Sequence, residues 1–314
     1  MPSYSGVWNL VSQYQAVGSG NWPLPPLTGD IGLFGGGYNS VATNSNVINY
    51  IDIASTGNAT DFGDLSVSRQ ELTACSSATR GVFGGGDNGA VLNVIDYVTI
   101  NTTGNASDFG DMASPTKGTG ACSSATRGVW GGGETNVTSR INVIQYVTIA
   151  TTGNTTDFGD LLAANNALAG CGSTTRGIFG GGYDTANSNV IQYITIASTG
   201  NATDFGDLTI ARYNLASCSN NTRGVFGGGE SQNLIDYITI ASTGNALDFG
   251  DLLSVVTALS ACASSTRGVF GGGQTSINVI QYITLASTGN ATDFGDLTLG
   301  LQRLAGCSNA HGGL

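Results

Sequence analysis

Residues 55 to 64 read STGNATDFGD and hold two patterns that carry chemistry in other proteins. Asp61-Phe62-Gly63 matches the tripeptide with which kinases hold a catalytic metal, and Asn58-Ala59-Thr60 is an N-glycosylation acceptor. A catalytic metal ligand is needed once per active site. This stretch instead returns as TTGNASDFGD (102 to 111), TTGNTTDFGD (151 to 160), STGNATDFGD (198 to 207), STGNALDFGD (242 to 251) and STGNATDFGD (287 to 296). With Lys117 as the only lysine, the strand lysine and catalytic loop of a kinase are also missing. The acceptor asparagines follow a glycine in a periodic turn, where Asn tolerates a left-handed backbone, so they read as turn residues.

Other groups able to do chemistry are few. The one histidine, His311, lies near the C-terminus, and no Ser/His/Asp, Cys/His or HExxH arrangement exists. Paired carboxylates occur only as the repeated DFGD. Hydrolysis of a polysaccharide by two carboxylates depends on their separation in space and stays open as the enzymatic alternative. The expectation is a non-enzymatic protein without cofactor or metal. Six cysteines, Cys75, Cys122, Cys171, Cys218, Cys262 and Cys307, recur at intervals of 47, 49, 47, 44 and 45 residues. On a symmetric ring such positions stand farther apart than the roughly 7 Å a disulfide spans, so free, buried thiols are expected. Zinc wants four ligands in a tetrahedron, which six evenly spaced thiols do not offer.

The composition narrows the partners. A net charge of -11 and a pI near 4.2 disfavour nucleic acid, whose binding rests on clustered Lys and Arg. Twelve of the 21 acidic residues are the paired aspartates of the six DFGD copies. MPSYSGVWNLVSQYQ has neither a basic n-region nor an apolar h-region, so no secretory leader is expected. No run approaches the roughly 20 apolar residues of a membrane span, so no membrane insertion is expected.

What positions these residues is an internal repeat. Each unit carries four short segments, here called A to D, which in the fifth unit read NLASCSNN (214 to 221), RGVFGGG (223 to 229), NLIDYITI (233 to 240) and NALDFGDL (245 to 252). The segments are short, with β-branched or aromatic residues in B, C and D, and are bounded by Gly, Asn, Ser and Asp, as strands are, and no stretch keeps a helical period. In segment C, Val94, Val98 and Ile100 alternate with Ile95 and Tyr97, so both faces are apolar, as in a blade held between two others. Four strands per unit of 44 to 49 residues is the arithmetic of a β-propeller blade; a parallel β-helix, the rival, uses much shorter coils. Segment B first occurs as IGLFGGG (31 to 37) with no A before it, and the chain stops just after a sixth A. The fold expected is an all-β, six-bladed propeller of four-stranded blades. Its ring closes when the strand around Gln302 to Asn309 fills the vacant inner place beside Gly32 to Gly36. Strand D would remain an outer edge, with aspartates such as Asp61 and Asp64 discouraging edge-to-edge pairing.

An apolar strand running into Gly-Gly, a Tyr-bearing strand, an aromatic before an acidic turn, then Arg and a Leu-Ala-x-Cys inner strand together resemble the Kelch repeat. The resemblance covers about residues 30 to 314 and departs from the Kelch pattern in placing Phe62 and its equivalents where a tryptophan is usual. RGVFGGG and YITIASTGNATDFGDL are also similar to repeats of virion structural proteins of tailed phages of marine bacteria. That likeness implies a place on the outside of a phage particle.

Comparing the units locates variation. All length differences fall in the B-C loops YNSVATNS, DNGAVL, ETNVTSRI, YDTANS, ESQ and QTSI; the D-A connections SVSRQ, ASPTK, LAANN, TIARY, LSVVT and TLGLQ differ in sequence at constant length. Both loop sets share one face of a propeller, while the uniform TRG and STGN turns share the other. The variable face is therefore expected to recognise a partner, with Tyr38, Asn39, Asp87, Glu134, Tyr183, Asp184, Glu230 and Gln274 as candidate ligand contacts. Arg69 and Arg212 lie six residues before Cys75 and Cys218, where the Kelch resemblance places an arginine at the mouth of the central cavity. From blades 2 and 5 they could clamp an anionic or polar ligand; the alternative is two solvated arginines ending a strand. The TRG arginines (Arg80, Arg127, Arg176, Arg223 and Arg267) are expected to pair with the first Asp of DFGD. Blade 1 has Ile31 there.

Residues 1–30 stand apart from the propeller of residues 31–314. They hold Trp8, Tyr14 and Trp22, candidate anchors in an arm that grips other virion proteins or caps its own propeller. The function expected is a virion structural or recognition protein meeting a host-surface glycan or protein through the variable face. A cell-surface or secreted adhesin is the alternative.

Overall fold

The computed structural model describes residues 26–41, 43–135 and 139–314. Trp8, Tyr14 and Trp22 lie outside the described residues. Six antiparallel four-stranded sheets form the blades, and no α-helix occurs among the described residues. Blade 2 illustrates the plan, with A at Thr73–Ser76, B at Arg80–Gly84, C at Val94–Thr99 and D at Ser107–Asp111, paired in that order. In blade 1 the inner strand comes from the other end of the chain. Ala305–Ser308 pairs with Ile31–Gly35 in the register Gly32↔Ser308 to Gly35↔Ala305, so the ring closes as the chain ends imply.

The core sits between blades. Ile31, Leu33, Ile48, Phe62 and Leu65 of blade 1 pack in one cluster with Leu72, Phe83, Val98 and Ile100 of the next unit. The GVFGGG motif follows from this geometry. A Cβ on Gly35 would stand 2.8 Å from the Phe83 ring, so the first glycine of each triplet makes room for its neighbour's aromatic. The cysteines obey the same logic: a Cβ on Gly177 would meet the Cys122 Sγ at 2.5 Å. All six thiols are free and buried, and desolvation pushes those of Cys171 and Cys307 up to about 12.

The outer strand is not a free edge, contrary to the sequence expectation. The STGN turn of each blade lies along strand D of the blade before it: Gly104 and Ala106 donate their N–H groups to Phe62 O and Asp64 O, both at 2.7 Å. Asn105 Oδ1 accepts from Asp64 N at 3.1 Å, and Asn58 does the same for Asp296 N across the closure. A β-bulge in strand D allows this clasp by turning Phe62 inward, where it is buried. The adjacent Gly63 has φ 145°, which only glycine holds without strain. DFGD and its companion asparagine are thus an inter-blade buckle, used six times.

The TRG arginines do not pair with DFGD either. Arg80 lies over the Tyr97 ring of its own blade at 4.6 Å and donates to Ile149 O of the next blade at 2.9 Å; Arg127, Arg176, Arg223 and Arg267 repeat this. Stacking on tyrosine aims each guanidinium along the blade seam toward a carbonyl. At the one seam without an arginine, where Ile31 stands, Leu27 N donates to Asn101 O at 2.7 Å. The last residues of the N-terminal segment therefore complete the set of seams.

Candidate functional site

The variable loops gather on one face, as expected, because short bridges knit D-A to B-C connections: Gln70↔Asp87, Lys117↔Glu134 and Asn166↔Tyr183. On the opposite face Ile100 N donates to Thr79 O at 2.9 Å, tying an STGN-type turn to a TRG turn. The central channel runs between the faces. It opens on the variable face as a funnel of about 490 Å³, narrows to about 90 Å³ among Ala, Gly, Ser and Thr of the inner strands, and ends at about 50 Å³ beside the cysteines.

The far end is stopped by the C-terminal residues. Gly312 N donates to Ser219 O at 2.9 Å, and His311 Nε2 stands 3.1 Å from Ser76 O and 3.2 Å from Ser123 Oγ. His311 Nδ1 accepts from Gly313 N at 3.0 Å, so the ring is neutral with its proton on Nε2. Desolvation lowers its pKa to about 4 against the opposing effect of the Ser76 carbonyl.

The rim of the funnel is a closed cycle of backbone. Glu71, Gly118, Ala167, Asn214, Ala258 and Arg303, one from each inner-strand entrance, adopt left-handed φ between 54° and 62°. Each donates its N–H to the carbonyl of the one before it, from Gly118 N→Glu71 O at 2.9 Å round to Glu71 N→Arg303 O at 2.9 Å. A left-handed conformation costs an L-residue about 1–2 kcal/mol, yet only Gly118 is a glycine. The cycle holds these residues in place and sets five side chains at the mouth.

Two unlike walls result. On one side Glu71 bridges Arg303 Nη1 at 2.8 Å and Lys117 Nζ at 3.3 Å, and Lys117 reaches Asp87 at 3.0 Å. Partial burial opposes the charge on Asp87, but the Gly89 N–H and Lys117 hold its pKa below the usual carboxylate range. On the other side the Tyr183 and Tyr213 rings tilt together at 5.5 Å. Beside them Asn187 Nδ2 donates to Glu230 Oε2 at 2.5 Å and Asn166 Nδ2 to Glu134 Oε2 at 2.7 Å.

Of the residues singled out from sequence, Glu134, Tyr183 and Glu230 line this funnel. Asp87 stands behind Lys117. Tyr38 and Asn39 instead pair with Gln302 and Leu301 in a two-residue ladder, and Asp184 and Gln274 are exposed on the loops outside the lining. Arg69 and Arg212 are neither at the mouth nor in solvent. Both are 0% exposed and ion-paired with equally buried Asp96 and Asp236 at 2.8 and 2.7 Å. The D-A connection folds under the next blade at this point and carries the guanidinium onto strand C. Arg212 also donates to Gly228 O at 2.8 Å, so it serves the scaffold.

Sequence reasoning missed Glu71, Lys117, Asn166, Tyr213, Asn214 and Arg303, all in the lining. They occupy two adjacent columns four and five residues before the cysteine, variable in type and fixed in spacing, which was the available signal. Compared with known proteins, the chain matches no family model and no curated protein.

Proposed function

We propose that the chain is a non-enzymatic recognition protein that binds a partner through the variable face of a Kelch-like propeller and is displayed on a phage particle. The observation that carries this reading is the coincidence of variation and cavity. Loops that differ in length and sequence surround the open funnel, whereas the uniform turns surround the end closed by His311 and Gly312. Ligand sites favour concave, largely preformed places of about 300–1,000 Å³, and the funnel at about 490 Å³ falls within that range. The chemistry of the lining favours binding over catalysis. Glu71 is held by two cations, Glu134 and Glu230 are each bonded to an amide, and the histidine sits at the opposite end. Display on a particle rests on the likeness of the repeats to phage virion proteins, with residues 1–30 as the attaching arm.

The test replaces every B-C loop with the short ESQ loop at residues 230–232 and measures adhesion to a panel of marine bacterial cells and their surface polysaccharides. Lost adhesion with an unchanged fold is the expected result; unchanged adhesion refutes the role of this face. Mass spectrometry of density-purified particles tests the location. Stoichiometric peptides are expected there, and their presence only in host membrane or medium would make the protein a cellular adhesin.

A further inference from the structure

We infer that the wall of the funnel built by blades 3 to 5 is a binding site for an uncharged pyranose, the terminal sugar of a glycan. This rests on the reading of the variable face as the recognition face and names its ligand class.

The funnel is lopsided in a way that selects chemistry. Its cations are spent internally: Arg303 and Lys117 both face Glu71, and Lys117 also faces Asp87. Neither cation of the described lining is left unpaired for a phosphate, sulfate or sialyl carboxylate. Arg140, just outside that lining, is laid over the Tyr183 ring at 4.8 Å and donates to Asn166 Oδ1 at 3.3 Å, and Glu134 and Glu230 repel an anion from the other side. An uncharged ligand meets neither obstacle.

The blade 3 to 5 wall supplies what a pyranose presents. A sugar ring has an apolar face of C–H groups and a circumference of hydroxyls, each both donor and acceptor. Tyr213 offers a half-buried aromatic face against which such a C–H face packs, and Tyr183, tilted by 60° to it, is backed by the Arg140 guanidinium at 4.8 Å. Around them stand two amide–carboxylate couples, Asn187–Glu230 and Asn166–Glu134, each of which places donors beside acceptors. Neighbouring hydroxyls of one sugar can bond both members of such a couple. Asn214 adds a third amide from the left-handed rim, where the cycle of backbone hydrogen bonds fixes its position before any ligand arrives. The channel below the mouth falls to about 90 Å³ against about 490 Å³ for the funnel, which favours a sugar held in the mouth.

Saturation-transfer NMR on the full chain tests this with methyl glycosides of glucose, galactose, mannose and N-acetylglucosamine, and with glucosamine and sialic acid as charged probes. At least one neutral glycoside should receive saturation, strongest on the C–H protons of one ring face. Tyr213→Ala should raise its dissociation constant tenfold or more, and Tyr213→Phe, which keeps the aromatic face, should not. Thermal unfolding of both variants separates lost binding from lost fold, and Tyr183→Ala repeats the test if Tyr213→Ala fails to fold. Binding of none of the neutral probes, preference for a charged probe, or binding unaffected by Tyr213→Ala and Tyr183→Ala would each overturn the inference. If cell adhesion is abolished by the loop exchange while no neutral sugar binds, this inference falls alone. If the loop exchange leaves adhesion intact, the recognition-face reading falls, whereas the sugar site is judged by the NMR result.

Discussion

Replacing Arg212 with valine removes a cation from a place where nothing else can neutralise Asp236. The guanidinium bonds Asp236 Oδ2 at 2.7 Å, Gly228 O at 2.8 Å and Phe226 O at 3.3 Å, with both ionic partners 0% exposed. After the substitution the carboxylate keeps only the Thr209 N–H and hydroxyl, at 3.3 and 2.6 Å. Stranding one member of a buried ion pair costs about 3–5 kcal/mol, against roughly 0.2–1 for an exposed pair. The protein itself contains the repair. Blade 6 holds Val256 and Gln281 at the same two positions, and Gln281 Oε1 accepts the Leu253 N–H at 2.7 Å in place of the aspartate. Arg212→Val combined with Asp236→Gln should therefore recover to within about 1–2 kcal/mol of the parent, because a neutral pair of fitting shape has no desolvated charge. Urea unfolding with a constant m-value reads both variants, and the double-mutant cycle gives their coupling. A single substitution costing under about 1 kcal/mol, or a double variant as unstable as the sum of its parts, would refute the reasoning.

Three further outcomes follow from the geometry. The six thiols should resist an aromatic disulfide reagent in the folded protein and all react in denaturant, since burial between blades both shields them and raises their pKa. A thiol titrating rapidly without denaturant would contradict their placement. Stability should fall as pH drops from about 6.5 to about 4: His311 stays neutral in the fold down to about 4, so across that window the unfolded chain binds the extra proton. His311→Asn should flatten this part of a thermal-unfolding profile; an unchanged slope would show that the ring is not enclosed. Gly206→Ala should destabilise by about 1–3 kcal/mol or more, because φ 144° strains alanine and its Cβ would stand 2.5 Å from Gly244 O in the neighbouring turn. A neutral effect, by calorimetry, would mean the outer clasp is dispensable.

The architecture was legible because it repeats. Strand identity, blade number and closure by Ala305–Ser308 all follow from the spacing of the cysteines and the missing first A strand. What joins one blade to the next was not legible, since partners such as Asn105 and Asp64 meet only through the rotation between blades. The same rotation redirects Arg80 from its own DFGD to the Ile149 carbonyl. The buried pairs did leave a trace. Asp96 and Asp236 stand where other blades have Asn49, Gln145, Gln192 and Gln281, and they occur only in the two blades preceded by Arg69 and Arg212. Reading those columns together would have placed both arginines in the core. The rim was hidden for a different reason. Glu71, Ala167, Ala258 and Arg303 have no common propensity for a left-handed backbone, which the cycle of hydrogen bonds imposes from outside.

Blocking one face at a time tests the recognition claim most directly. With the native thiols buried, a cysteine introduced by Ala186→Cys in the variable loop after Tyr183, or by Thr243→Cys in a turn of the uniform face, is the accessible site for a bulky poly(ethylene glycol) maleimide. Adhesion to the marine bacterial panel should disappear when position 186 is modified and persist when position 243 is. Adhesion that survives the first adduct and is lost with the second would contradict the account.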